Sequence, residues 1–143
     1  MRVFKCNRGI IAVEFLICGL VLFFLVFVST DYWLIQVKNQ QADHIKNYYL
    51  DRIRVEGYLT DADRNGMIQK FNAIGCQVQS IDAPVTPVLR NADDPTQSEV
   101  WLRVEAKPNT QPFFLGTLIG ADAPDGSFLI RVSGRALSER VNP

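Results

Sequence analysis

The stretch RGIIAVEFLICGLVLFFLVFV, Arg8 to Val28, decides how the rest of the chain is read. From Ile10 to Val28 it runs nineteen residues with a single charge, Glu14. A helix rises about 1.5 Å per residue, so such a run is long enough to cross a bilayer core of about 30 Å. Outward on one side, Met1–Gly9 carries Arg2, Lys5 and Arg8 and no acid; on the other, Asp31, Tyr32 and Trp33 follow the apolar run. Basic residues ahead of a span hold that end in the cytoplasm, and aromatic rings favour the far interface. The sequence therefore predicts a single transmembrane helix over 10–28, with the amino terminus cytoplasmic and the bulk of the chain extracytoplasmic.

A cleaved secretory signal fits less well. The run exceeds the roughly 7–15 apolar residues of such a signal, and no A-x-A-like site follows it. Bulky Ile17 stands before Cys18, where a lipoprotein would need a small residue. Neither alternative explains Glu14. A carboxylate inside a membrane costs roughly 3 kcal/mol on insertion scales and marks a functional position.

The whole chain has 143 residues, enough for one modest domain beyond the span. Its 15 basic and 15 acidic residues balance, which argues against a nucleic-acid surface built on net positive charge. A hydrophobic share of 48% argues against general disorder. Cys6, Cys18 and Cys76 make no disulfide framework, and no cysteine–histidine spacing suggests zinc.

Gly9, then Ile10-Ile11-Ala12-Val13, then Glu14 at the fifth position of the apolar run, behind a short basic leader, resembles the type IV prepilin processing motif. The resemblance implies cleavage by a prepilin peptidase between Gly9 and Ile10, with Ile10 as the new, methylated first residue. The string A-V-E-F at Ala12–Phe15 is similar to TadE-like members of tight-adherence pilus systems. So are E-G-Y-L-T-D-A-D at Glu56–Asp63, F-N-A-I-G at Phe71–Gly75 and S-G-R-A-L-S-E-R at Ser133–Arg140. That family implies a minor pilin or pseudopilin of the bacterial inner membrane. Its partners would be the peptidase, other pilin subunits and the assembly platform, in adhesion, secretion or conjugation. Cleavage would expose an amine that is charged at neutral pH. Glu14 lies about 6 Å along the helix from Ile10, so the amine of one subunit could pair with Glu14 of a neighbour offset by one turn. An unpaired carboxylate in a low-dielectric bundle is penalised far more than a paired one, and the pair would thereby select the register. The rival reading is an uncleaved, single-pass accessory or sensor protein whose extracytoplasmic domain binds a partner.

Beyond Trp33 neither glycine nor proline occurs until Gly57. Leu34, Val37, Ala42, Ile45, Tyr49 and Ile53 recur at helical intervals, so the membrane helix is expected to continue over 29–56 with one face on its own domain. Thr60 and Asp63 read as a capping pair for a helix from Asp61 to Ala73, with Met67, Ile68, Phe71 and Ile74 inward and Gly75 as its stop. Cys76–Ile81, a strand around Val100–Val104 and another over Ser127–Ser133 alternate in strand fashion. In the first, Cys76, Val78 and Ser80 oppose Gln77, Gln79 and Ile81. Pro84 and Pro87 leave Val85–Leu89 an edge strand at best, and Asn91–Ser98 reads as a polar loop. The fold class expected is α+β: a long transmembrane and amphipathic helix, then over 57–143 a small domain with one helix and an antiparallel sheet of about 3–4 strands. The apolar Phe113, Phe114, Leu118 and Ile119 either close that core or form an interface between subunits.

No nucleophile motif, phosphate loop or metal constellation is visible. His44 is the sole histidine and falls on the long helix. Asp93-Asp94 offers too few oxygens for calcium, and Tyr48-Tyr49 reads as packing. The sequence points to no cofactor and to a protein that is an enzyme's substrate rather than an enzyme.

Overall fold

The computed structural model describes residues 8–111 and 128–141. Helix α1 runs unbroken from Arg8 to Glu56, 49 residues, or about 73 Å at 1.5 Å per residue. Its first half projects away from the rest of the chain, with Val13, Phe15, Leu16, Leu22, Phe23 and Val26 all exposed. This half is long and apolar enough to cross a membrane. Where the apolar run ends, the Ser29 and Thr30 hydroxyls donate to the carbonyls of Leu25 at 2.7 Å and Val26 at 2.9 Å. Both hydroxyls are thereby satisfied within the helix itself.

The outer half of α1 buries Ala42, Lys46, Tyr49, Leu50 and Ile53, a stripe at helical spacing. The stripe starts later than the periodicity suggests. Leu34 is 48% exposed, because the first close approach of the domain to the helix comes near Lys38, beside Gly75. It also includes Lys46, which composition alone assigns to the polar flank. The Lys46 stem lies against β3 while its ammonium reaches Asp43 Oδ1 at 2.9 Å and the Ser133 carbonyl at 3.3 Å. A buried lysine needs such partners, and both are supplied.

Helix α2, Asp61–Ala73, returns antiparallel along α1: Arg52 meets Asp63, Tyr49 meets Gly66 and Tyr48 meets Lys70. Thr60 caps it, its Oγ1 accepting from the Asp63 amide at 3.1 Å. The reciprocal half of a capping box is missing, since aspartate is one methylene shorter than the preferred glutamate. The Asp63 carboxylate instead accepts from the Thr60 hydroxyl at 2.8 Å and from Arg52 Nε at 2.7 Å. Met67 and Phe71 are fully buried, and Ile74 packs beside them. Gly75 follows at φ +72°, a left-handed position that glycine adopts at low cost.

Strands β1, Cys76–Asp82, β2, Glu99–Pro108, and β3, Ile130–Leu137, form an antiparallel sheet in the order β1-β2-β3. The arrangement is α+β, with two helices on one face of the sheet. Helix α1 lies against β3 and β2, and α2 against β1. Val100, Leu102, Val104 and Ala106 form the inward row of β2, joined by Ile130 and Val132. The opposite row, Trp101, Arg103, Glu105 and Lys107, faces away from the helices.

Two strand details depart from the sequence reading, and a third, over 83–90, falls within it. A bulge between Val78 and Ser80 shifts the register, so Ile81, paired with Val104, packs on the core with Cys76 and Val78. An extra residue reverses the alternation beyond it, and Ser80 is left exposed. Residues 83–90 form no strand, as Pro84 and Pro87 remove the amide donors a ladder requires. Strand β3 begins and ends later than Ser127–Ser133, continuing through Gly134 to Leu137 because Glu99–Leu102 need it as a ladder partner. A Cβ at Gly134 would lie 2.8 Å from Leu50 Cδ2, so a strand glycine permits close approach of α1. Phe113, Phe114, Leu118 and Ile119, and residues 1–7 of the leader, lie outside the described residues.

A glycine at position 66 inside α2 has a similar explanation. A Cβ there would stand 2.8 Å from the hydroxyl of Tyr49, whose ring is buried and braced edge-on by Tyr48. Gly66→Ala is expected to lower stability by about 1 kcal/mol through overpacking. In a Tyr49→Phe background the same change is expected to stabilise by up to about 1 kcal/mol, the helix-propensity gain. Denaturant unfolding of the full chain in detergent, followed by near-ultraviolet circular dichroism, measures both.

Candidate functional site at the start of the long helix

The residues singled out by the sequence, Gly9, Ile10 and Glu14, all fall in the first two turns of α1. Ile10 and Glu14 are four residues apart, which puts them on one face of the helix about 6 Å apart along its axis. No acidic residue lies in the first turn itself. Glu14 is exposed between exposed Val13 and Phe15. None of the ion pairs among the described residues involves it. In water this carboxylate is solvated. In lipid its charged form would be costly unless it were protonated or paired with a cation.

On the domain, several charges meet opposite partners directly. On the outward face of the sheet, Arg131 pairs with Glu105 at 3.1 Å and Arg135 with Glu99 at 3.3 Å across the strands. Trp101 Nε1 donates to Asp82 at 3.2 Å, and Asp82, Trp101, Glu99 and Arg135 rim a groove of about 550 Å³. Such exposed pairs each contribute well under about 1 kcal/mol. The groove sets no nucleophile beside a base.

The remaining candidates resolve into structural roles. Asp94 caps the short 3₁₀ turn Pro95–Ser98, and hydrogen bonds from the Thr96 hydroxyl and amide hold its carboxyl below the usual range. Asn91 Oδ1 accepts from the Asp93 and Asp94 amides at 3.0 and 3.2 Å, closing the turn before it. Tyr48 and Tyr49 meet edge to face at 5.0 Å, and Lys70 Nζ sits 3.7 Å from the Tyr48 ring centre. Burial, aided by neighbouring Tyr48 and Asp63, pushes the Tyr49 phenol upward. His44 is exposed on α1. Among the described residues no group of three or more His, Cys, Asp or Glu is placed to hold a metal ion.

Sequence reasoning overlooked two residues that matter to how the helix is held, Lys46 and Leu50. Both lie at the spacing of the buried stripe, four residues from Ala42 and three from Ile53. Ranking lysine as polar hides the first, and following the 45–49–53 line hides the second. Neither bears on chemistry at Glu14.

No family model, curated protein or solved structure matches the chain.

Cys76 is 1% exposed, and burial pushes its thiol up against the weaker opposing influence of Lys38. A raised pKa keeps the group as the unreactive thiol near neutrality. In the folded chain at pH 8, a hydrophilic maleimide is expected to label Cys76 only as the domain opens, and freely once urea unfolds it. Peptide mass mapping over time reads this directly.

Proposed function

We propose that the chain is a pilin-like structural subunit, a TadE-like minor pilin or pseudopilin, that is processed after Gly9 and assembles through α1. It would be held in the bacterial inner membrane by residues 10–28, amino terminus inward and domain outward, until a pilus or pilus-like secretion or conjugation machine takes it up. Its partners on this reading are the prepilin peptidase, other pilin subunits and an assembly platform. The observation that carries the proposal is Glu14: one carboxylate on a bare apolar helix, without an ion-pair partner among the described residues, one turn above the residue that cleavage would turn into a free amine.

The physical argument supports assembly over simple anchoring. A lone helix of this composition anchors a domain without any acid, so Glu14 adds cost and no anchoring strength. When helices gather, an amine–carboxylate pair removes that cost in one axial register and leaves it in others. The long bare half of α1 offers apolar side chains on every face for such packing, while the domain fastened to its far end stays clear of the lipid.

Intact-mass analysis of the protein from its native host tests the first step. The mature chain is expected to begin at Ile10, and Gly9→Ala is expected to leave it beginning at Met1. Glu14→Val is expected to be processed normally yet to reduce filament yield at least tenfold, as loss of a charged hydrogen bond worth about 1.5–3 kcal/mol implies. A native chain beginning at Met1 in cells that possess the peptidase would instead favour an uncleaved anchored accessory or sensor protein. Processing without any assembly defect in Glu14→Val would reject the register argument alone.

A further inference from the structure

The last four carbonyls of any α-helix have no partner within it. At the end of α1 these belong to Ile53, Arg54, Val55 and Glu56. Gly57 takes the first in the ordinary way, its amide 2.7 Å from the Ile53 oxygen. Two of the others are taken by residues from the far end of the chain. The Glu139 amide donates to the Arg54 carbonyl at 2.7 Å, and Arg140 Nη1 donates to the Glu56 carbonyl at 2.7 Å, across 84 residues of sequence. The Arg140 guanidinium also brings positive charge to the negative end of the helix dipole. The Arg54 and Glu139 side chains form an ion pair beside it.

The same short segment holds the irregular stretch between β1 and β2. Ser138, 2% exposed, donates its hydroxyl to the Val88 carbonyl at 2.6 Å, and its amide donates to Ser98 O at 2.7 Å. The Arg140 carbonyl accepts from the Arg90 amide at 2.7 Å. Residues 83–90 in turn touch the helix end, where the Val88 amide donates to Gly57 O and Pro84 O accepts from Leu59, each at 3.0 Å. Three pieces of chain distant in sequence therefore meet at one point, and residues 138–141 are the piece that joins them.

We infer that Ser138–Val141 is a latch on the top of α1. Closed, it caps the helix and pins residues 83–90; open, it releases both together. The core of Leu102, Val104, Met67 and Phe71 lies deeper and does not depend on it. Opening is cheap relative to unfolding, because Arg54 and Glu139 are half exposed and the joint is made of hydrogen bonds instead of apolar packing. The order of the helix end is thereby coupled to whatever the terminal residues are doing. This coupling holds whether or not the chain is processed at Gly9.

Amide hydrogen exchange on the full chain in detergent micelles tests it. Arg140→Ala is expected to speed exchange at Gly57, Leu59 and Val88 by about tenfold, the weight of a charged hydrogen bond, while Leu102 and Val104 stay unchanged. Arg140→Lys, which keeps the charge on a different stem, is expected to give a smaller rise at the same three amides. A chain ending at Leu137 is expected to exceed both, with the same spatial pattern. Unchanged exchange at Gly57, Leu59 and Val88 overturns the latch. So does an equal rise in β2, or failure of the variants to fold, since either makes the segment part of the global core.

Discussion

One helix serves two solvents, and the seam between its outer half and the sheet is the contact on which the architecture depends. Ala42, Lys46, Leu50 and Ile53 lie against β2 and β3, where a strand glycine lets the backbones approach and the Lys46 ammonium is tied to Asp43 and Ser133. If that seam were loose, the domain would hang from a flexible stalk. Because it is tight, the domain is fastened to the outer half of a helix that continues without a break into the apolar half. Helix α2 and the sheet are arranged around this constraint: α2 covers β1, where α1 does not reach, and Tyr49 and Phe71 fill the space between.

The distribution of charge follows the same division. On the domain, five acids among the described residues stand beside bases on neighbouring strands or turns, and the buried members have partners: Asp63 with Arg52, Lys46 with Asp43. Little net field remains to attract nucleic acid or an anionic ligand. Glu14 stands in a different setting. It is the single charge in the apolar run over 10–28, and that setting is why the proposed function is placed there and not on the groove of the sheet.

Much of the fold was legible because its signals are local. The unbroken helical spacing from Ile10 to Glu56, the Thr60 cap, the Gly75 stop and the alternation of Val100–Val104 each follow from backbone geometry a few residues long. What was hidden depends on distant partners. The bulge at Val78–Ser80 answers the register of β2, the continuation of β3 through Gly134 answers the approach of Leu50, and the burial of Lys46 answers a carbonyl on β3. The long-range cap from Arg140 has no local trace at all, since nothing near Glu56 foretells a donor 84 residues away. At the candidate site Gly9, Ile10 and Glu14 stand in one short local motif, so they could be picked out from the sequence, whereas the pairing proposed for Glu14 would need an amine that this chain's described residues do not supply.

The account rests most heavily on α1 being one straight rod from the apolar run to the domain, with no hinge at Ser29–Thr30 where hydroxyls bond back to the helix. Spin labels at Leu16 and Asp51, in full-length chains diluted singly into lipid nanodiscs, report this by pulsed electron resonance. Thirty-five helical steps predict one narrow distance distribution at about 52 Å. A broad distribution, or one centred well below that distance, would mean that the membrane segment and the domain are jointed, and the rigid two-solvent helix would have to be abandoned.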